Sequence, residues 1–70
     1  MTRQEANDAL HSGVPVRHNG IEYKCINAIT WRIKRNKNGD IIDKLVEAEL
    51  QDKNVNSVTI TNVENIEAVV

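Results

Sequence analysis

The chain has 70 residues, 40% of them hydrophobic and 27% charged, and its formal net charge at pH 7 is −1. This composition is typical of a globular domain and excludes a disordered tail, and the length suits one domain with a barely sufficient core. One tyrosine, one tryptophan and no phenylalanine mean that isoleucine, valine, leucine and alanine must build that core. We therefore expect a single domain over residues 1–70.

The same counts limit the chemistry of the protein. A single cysteine cannot form an intramolecular disulfide, and its spacing from the two histidines does not match a zinc site. No apolar run approaches the roughly 18 residues of a transmembrane helix, and no signal peptide is recognisable. We expect a soluble, cytoplasmic protein that needs no cofactor, binds no metal and does not enter a membrane.

Charge is unevenly distributed along the chain. Residues 1–37 carry seven basic and three acidic side chains, whereas residues 38–70 carry two basic and seven acidic ones. Such a split can mark an electrostatic partner surface. Basic and acidic strands that lie side by side and form cross-strand pairs on the solvent face explain the split better, and we favour that interpretation.

The first element is predicted to be a short helix over about residues 2–12. Thr2 and Glu5 have the spacing of a capping box, in which each side chain accepts a hydrogen bond from the backbone of the other. Gly13 can adopt the left-handed conformation that ends a helix, and Pro15 prevents its continuation. A helix this short must dock on the rest of the fold, and we expect Leu10 to provide the contact.

The dipeptide Asn19-Gly20 is the strongest hairpin signal in the chain, because a type I′ turn needs positive φ at both positions. It predicts that His18 faces Ile21 and that residue 16 faces residue 23. The following run, residues 21–34, alternates like a strand but changes phase near residues 26–27, which predicts a bulge there. A strand this long in a small domain must coil or split.

The remaining chain is predicted to contain three more strands, over residues 41–51, 57–61 and 66–70, with one helical turn between the last two. A short helix followed by five strands over residues 14–70 is the pattern of a small, five-stranded antiparallel SH3-like barrel, a mainly β fold. The expected core residues are Ile21, Tyr23, Ile29, Trp31, Ala48, Leu50, Val58, Ile60 and Ile66.

Four short motifs carry a resemblance to the SH3-like barrel superfold: Gly20-x-x-Tyr23, Leu50-x-Asp52, Ser57-Val58-Thr59-Ile60 and Val63-x-x-Ile66. More narrowly, the segments Gly13 to Tyr23 and Ala48 to Thr59 make the chain similar to small uncharacterised proteins that phages and mobile elements of Gram-positive bacteria carry. The resemblance covers nearly the whole chain and implies a fold but no assigned activity. With two aromatic residues, the chain lacks the aromatic shelf that binds polyproline and the aromatic cage that binds methyl-lysine.

No combination of residues predicts catalysis. His11 lies at a helix end and His18 at a turn, and nothing in the sequence brings either to Cys25 as a nucleophilic pair. Cys25 has the phase of the predicted core, so we expect a buried, unreactive thiol. Glu47 and Glu49 lie on one face of a strand, where solvated acids are common. We expect a protein that is not an enzyme.

The one functional candidate is a basic hairpin over residues 32–37. Four cations lie beside Trp31, which could stack on a nucleic-acid base; they are Arg32, Lys34, Arg35 and Lys37. The alternative interpretation is that the first two pair with Glu47 and Glu49 across the hairpin while Trp31 packs inside.

We favour that alternative, and with it a non-enzymatic interaction or accessory module of a phage or mobile element. Its partner is expected to be a protein of unknown identity, and its oligomeric state is open. A weak nucleic-acid-binding barrel that uses the basic hairpin is the second hypothesis.

Overall fold

The computed structural model describes residues 1–69. It consists of one helix, six strands and one 3₁₀ turn. In chain order these are α1 (Arg3–Ser12), β1 (Val16–His18), β2 (Ile21–Tyr23), β3 (Cys25–Arg35), β4 (Ile41–Gln51), β5 (Val58–Asn62), the 3₁₀ turn (Val63–Asn65) and β6 (Glu67–Ala68). The prediction of a mainly β fold with a short N-terminal helix is confirmed. The end of the last predicted strand, at Val70, lies outside the described residues.

The strands form two three-stranded antiparallel sheets. Sheet A has the order β2-β1-β6 and sheet B the order β3-β4-β5. The chain passes between the sheets at Lys24 and again at the 3₁₀ turn. The predicted five-stranded closed barrel is therefore wrong for residues 1–69, which form six strands in two separate sheets. The prediction that the long run over residues 21–34 must coil or split is confirmed, since it divides into β2 and β3.

Helix α1 begins and ends as the sequence predicts. The Glu5 N–H donates to Thr2 Oγ1 at 3.1 Å, and the Thr2 N–H donates to Glu5 Oε1 at 2.8 Å. The hydrogen bond from the Thr2 N–H is the main cause that lowers the pKa of the Glu5 carboxyl. At the other end, Gly13 has φ +69° and its N–H donates to Ala9 O. The helix buries Ala6 and Ala9, and Leu10 packs beside them half-buried.

The first hairpin and the bulge also follow the sequence. Asn19 and Gly20 both have positive φ, and His18 pairs with Ile21 as a two-residue loop requires. In sheet B the pairing of β3 with β4 shifts between residues 26 and 28, which leaves Asn27 as the extra residue. Asn27 is exposed, and its Nδ2 donates to Gln51 Oε1 at 2.8 Å. Both local predictions are confirmed.

The core lies between the two sheets and under α1. Sheet B contributes Ile26, Ala48 and Leu50, and the residues around the 3₁₀ turn contribute Val63 and Ile66. The buried residues of the described chain are Ala6, Ala9, Val16, Tyr23, Ile26, Ala48, Leu50, Val63 and Ile66. Among the residues predicted to be inside, four are confirmed as buried: Tyr23, Ala48, Leu50 and Ile66. Ile29 packs against the core half-buried.

Four residues predicted to be inside are exposed, and strand phase or position explains the three that lie in β2 and β5. Val58 lies opposite Gln51 and Ile60 opposite Glu49, which puts both on the outer face of sheet B, away from Leu50. The core side of β5 is instead formed by its threonines. Ile21 sits beside the first turn and is exposed. The predicted alternation of β5 is confirmed, but the opposite face of the strand is turned toward the core.

Candidate functional site: a projecting hairpin

The hairpin of β3 and β4 extends well past the core. All residues from 30 to 44 are exposed, and we call this segment the arm. The molecule measures 42 × 25 × 21 Å, and its Cα radius of gyration is 13.2 Å, above the roughly 11 Å expected for a compact chain of this length. Two strands of 11 residues each are too long for a core this small, so their far ends stand free.

One face of the arm carries two apolar residues of β3 and one cation of β4, and we call it the apolar face. Trp31 pairs with Val46 and Ile33 pairs with Lys44, which places both β3 residues on the face that continues the core side of sheet B. Because the core ends before them, Trp31 is 66% exposed and Ile33 50% exposed. The prediction that Trp31 packs inside is therefore wrong. Ile42, 63% exposed, lies at the second irregularity in pairing, near the end of the arm.

The other face of the arm carries Arg32 and Lys34. Arg32 Nε donates to Glu47 Oε1 at 2.6 Å, so the predicted cross-strand ion pair is confirmed. The predicted pair of Lys34 with Glu49 is wrong, because Lys34 lies opposite Asp43, and Glu49 lies opposite Ala28 at the other end of β3. Within residues 1–69, Lys34 makes no salt bridge within 4.0 Å.

The turn at the end of the arm is held by its own hydrogen bonds. Asn36 Oδ1 accepts from the N–H groups of residues 38 and 40, at 2.9 and 3.0 Å. Arg35 Nη1 donates to Gly39 O at 2.9 Å, while Lys37 projects from the turn. The structure thus brings all four predicted contact residues, Arg32, Lys34, Arg35 and Lys37, onto one arm. Only the first of them is neutralised by a carboxylate in the described chain.

The arm differs in charge from the rest of the molecule. It contains five cationic and two acidic side chains, a formal net charge of +3 in a chain of −1, so the remainder carries −4. A second ion pair, Lys53 Nζ with Glu22 Oε2 at 2.6 Å, lies outside the arm and links β2 to the turn after β4. The hydrogen bond from Lys53 lowers the pKa of Glu22. Sequence reasoning did not identify this pair, since its two residues are distant in the chain.

The other residues considered for chemistry make separate local contacts. His11 Nδ1 lies 2.8 Å from Asn7 O, and His18 Nδ1 lies 3.0 Å from Asn65 O. Cys25 is half-buried, and its thiol donates to Asn27 Oδ1 at 3.4 Å. The prediction of a buried thiol is wrong, because Cys25 pairs with the partly exposed Gln51 at the rim of sheet B. Its low reactivity stays a prediction.

Residues 1–69 contain neither a metal-binding cluster nor a membrane-spanning helix. No three histidine, cysteine, aspartate or glutamate side chains of this region are grouped so that they could hold a metal ion. None of its helices has the length and apolar character needed to cross a membrane.

The comparisons with known proteins give no relationship to build on. No protein-family model, no curated protein and no solved structure matches this chain at a significant level.

Sequence reasoning identified the basic half of the arm but missed its apolar half. The signal was present in the length of β3 and β4, because strands of 11 residues exceed the usual five or six. Ile41 and Leu45 also break the alternation of β4, at the place where the strand leaves the core. A count of how many residues a small core can cover would have indicated that Trp31 and Ile33 lie outside it.

Proposed function

We propose that this protein is a non-enzymatic interaction module that binds a protein partner through the arm. The observation that carries the proposal is the exposure of Trp31 and Ile33 on a hairpin that projects from the core beside unpaired cations. Tryptophan and arginine are enriched at protein interfaces and dominate their binding energy, whereas lysine is depleted there. The arm presents both types of residue, Trp31 on one face and Arg32 on the other.

The exposed side chains of the arm contribute little to the stability of the isolated chain. A buried isoleucine or tryptophan contributes about 2 kcal/mol by leaving water, and the arm leaves several of them in water. Contiguous apolar patches on small monomers are often functional for this reason. Burial against a partner would recover that free energy, and the cations around the patch would set which partner is accepted.

The biological setting is also part of this proposal. The similarity of Gly13 to Tyr23 and of Ala48 to Thr59 to proteins of phages and mobile elements supports an accessory role in such an element, in the cytoplasm of its host. The absence of a converging nucleophile and base in the described chain supports a role without catalysis. An open cleft of about 490 Å³ lies beside His18. Both ring nitrogens of this histidine already contact other groups, Asn65 O and Asn19 Nδ2, and not a nucleophile.

Two matched double variants test the arm as the binding site. Trp31→Ser with Ile33→Thr removes the apolar face of the arm, and Val58→Thr with Ile60→Thr removes an equally exposed apolar pair from the outer face of β5. Partners are captured from a bacterial lysate on the immobilised wild-type chain, identified, and titrated against each purified variant. We expect the arm variant to bind at least about tenfold more weakly, a loss of about 1.4 kcal/mol, and the β5 variant to bind like the wild type.

The comparison of the two variants requires that both stay folded. Both variants should unfold at nearly the wild-type denaturant concentration, because exposed substitutions change stability by about 0.5 kcal/mol or less. If the β5 variant loses the partner and the arm variant retains it, the arm is not the binding site.

Nucleic-acid binding is the second candidate, and the exposed Trp31 favours it. An exposed aromatic beside Lys34, Arg35 and Lys37 could stack on a base while the cations contact phosphates. Against it, the net charge of the chain is −1, and Arg32 of the arm is already paired with Glu47. We expect no gel retardation of single- or double-stranded DNA. A shift at micromolar protein that disappears with added salt and with Arg35→Gln and Lys37→Gln would favour this candidate.

A further inference from the structure

We propose that the partner contributes an extended segment of alternating acidic and apolar residues, which adds as a strand to the free edge of β3. The inference rests on the arm as the binding site and specifies what the arm binds. It follows from the edge position of β3, from the two chemically different faces of the arm, and from the contacts that β4 makes with β3.

The first step concerns backbone groups. β3 is the outermost strand of sheet B and pairs with β4 alone. In an antiparallel pair, every second residue of a strand directs its N–H and C=O away from its neighbour. Over residues 30–35 the structure records no other backbone hydrogen bond to these outward groups within the described chain. They form a row of donors and acceptors that an added strand could pair with.

The second step concerns the side chains beside that row. Trp31 and Ile33 lie on the apolar face of the arm, whereas Arg32 and Lys34 lie on the opposite face. Residues of an added strand share a face with the residues that they oppose. A matching segment therefore places apolar residues beside the first pair and acidic residues beside the second, so it alternates with period two.

The third step is that β4 supplies part of this chemistry on the other edge of β3. Val46 lies opposite Trp31, and Glu47 accepts the hydrogen bond of Arg32. The match is incomplete, because the register puts a leucine, not an acid, directly opposite Arg32. The free edge presents the same β3 side chains to an added strand, which can place an acidic residue at that position.

The cations also decide against a second copy of β3 as the occupant. Two copies paired edge to edge would bring Arg32, Lys34 and Arg35 of both chains together, and opposed like charges destabilise a strand pair. An acidic strand at this edge would instead be attracted by the cations. Arg32 uses its Nε for Glu47, which leaves its terminal N–H groups for another carboxylate, and Lys34 has no salt bridge in the described chain.

The probe is a short peptide that alternates valine and glutamate, titrated into the full chain and followed by amide hydrogen exchange in NMR. We expect slower exchange at the alternate amides of residues 30–35 that point away from β4, with no change in β5, which is the other edge of the same sheet. A peptide of identical composition with its valines and glutamates in separate blocks should bind at least about tenfold more weakly. A valine–lysine peptide should behave like the block peptide.

Two further experiments distinguish strand addition from side-chain docking. Methylation of every second peptide nitrogen removes the donors of one edge, so one of the two possible methylation phases should abolish binding while the other should not. Lys34→Glu should weaken the glutamate peptide and strengthen the lysine peptide. Equal binding by both methylation phases, protection at β5 instead of β3, or no binding of the alternating peptide at millimolar concentration overturns the inference.

The outcome for the arm itself is read separately. One outcome is that the captured partner fails to bind the variant with Trp31→Ser and Ile33→Thr, and yet slows no amide exchange at residues 30–35 of the wild-type chain. In that case the arm is the binding site and the strand-addition inference is wrong. If those substitutions leave the partner bound, the proposed function fails first. A salt-sensitive DNA shift assigns the arm to nucleic acid and rejects both.

Discussion

Asp52 holds the turn between β4 and β5 through one carboxylate oxygen. Its Oδ1 accepts from the N–H groups of Asn56 and Ser57, at 2.9 and 3.1 Å, and from Gln51 Nε2 at 3.3 Å. Partial burial acts to raise the pKa of this carboxyl, but the hydrogen bonds from Ser57, Asn56 and Gln51 outweigh it and lower the pKa below its ordinary value of 3.8. Hydrogen bonds to the ionised form have this effect.

The lowered pKa makes stability depend on pH. Since the folded pKa lies below the unfolded value, the ionised carboxylate stabilises the fold above that value, and the contribution is lost as pH falls through the folded pKa. We expect Asp52→Asn to destabilise the protein near neutral pH and to reduce the loss of stability in acid. Urea unfolding of both proteins across the acidic range measures this. Parallel pH profiles would contradict the role given to Asp52.

Val55, in the same turn, has φ +57°. A β-branched residue is strained in the left-handed region, where asparagine is tolerated. We expect Val55→Asn to raise the free energy of unfolding by about 1 kcal/mol. The matched control is Val58→Asn, which replaces an exposed valine in a strand and should lower stability. A loss of stability in Val55→Asn would show that its side chain makes a contact worth more than the strain.

At the scale of elements, β4 belongs to the core at one end and to solvent at the other. Leu50 is fully buried, whereas Ile42 is 63% exposed. We expect Leu50→Ala to cost about 2–5 kcal/mol and Ile42→Ala to cost about 0.5 kcal/mol or less. Denaturant unfolding of the two variants gives the comparison. Similar losses for both would mean that the arm packs on the core in solution.

β4 also shows what the periodicity of a strand can predict and what it cannot. The alternation of β4 correctly predicted that Ala48 and Leu50 face the core, because one face of a strand is uniform in a regular sheet. It could not show where the core stops along that face. Trp31 has the phase of a core residue and still lies in solvent, because α1 and sheet A cover only the near end of sheet B.

For the whole molecule, the arm accounts for its elongated shape. Replacing residues 34–43 by Asn-Gly would leave Ile33 and Lys44, a directly opposed pair, on either side of a two-residue turn. We expect this variant to fold cooperatively, because no buried residue is removed. In solution scattering its radius of gyration should fall below that of the wild type. Loss of cooperative unfolding would show that the arm is part of the folding unit.

The sequence by itself determined the local geometry of this protein. The capping box at Thr2, the Asn19-Gly20 turn and the bulge at Asn27 were all predictable, because each depends on φ preferences or hydrogen bonds among residues close in the chain. The four cations of the candidate site were identified for the same reason, since they lie within six consecutive residues.

Only the tertiary structure decided which surfaces are covered. The face of β5 that turns outward depends on its register with β4, and the exposure of Trp31 depends on the small size of α1 and sheet A. The two sheets stay separate over residues 1–69 because the strands of sheet A are short and the chain leaves them after two or three residues each. These outcomes are set by contacts between residues distant in sequence, which local patterns do not contain.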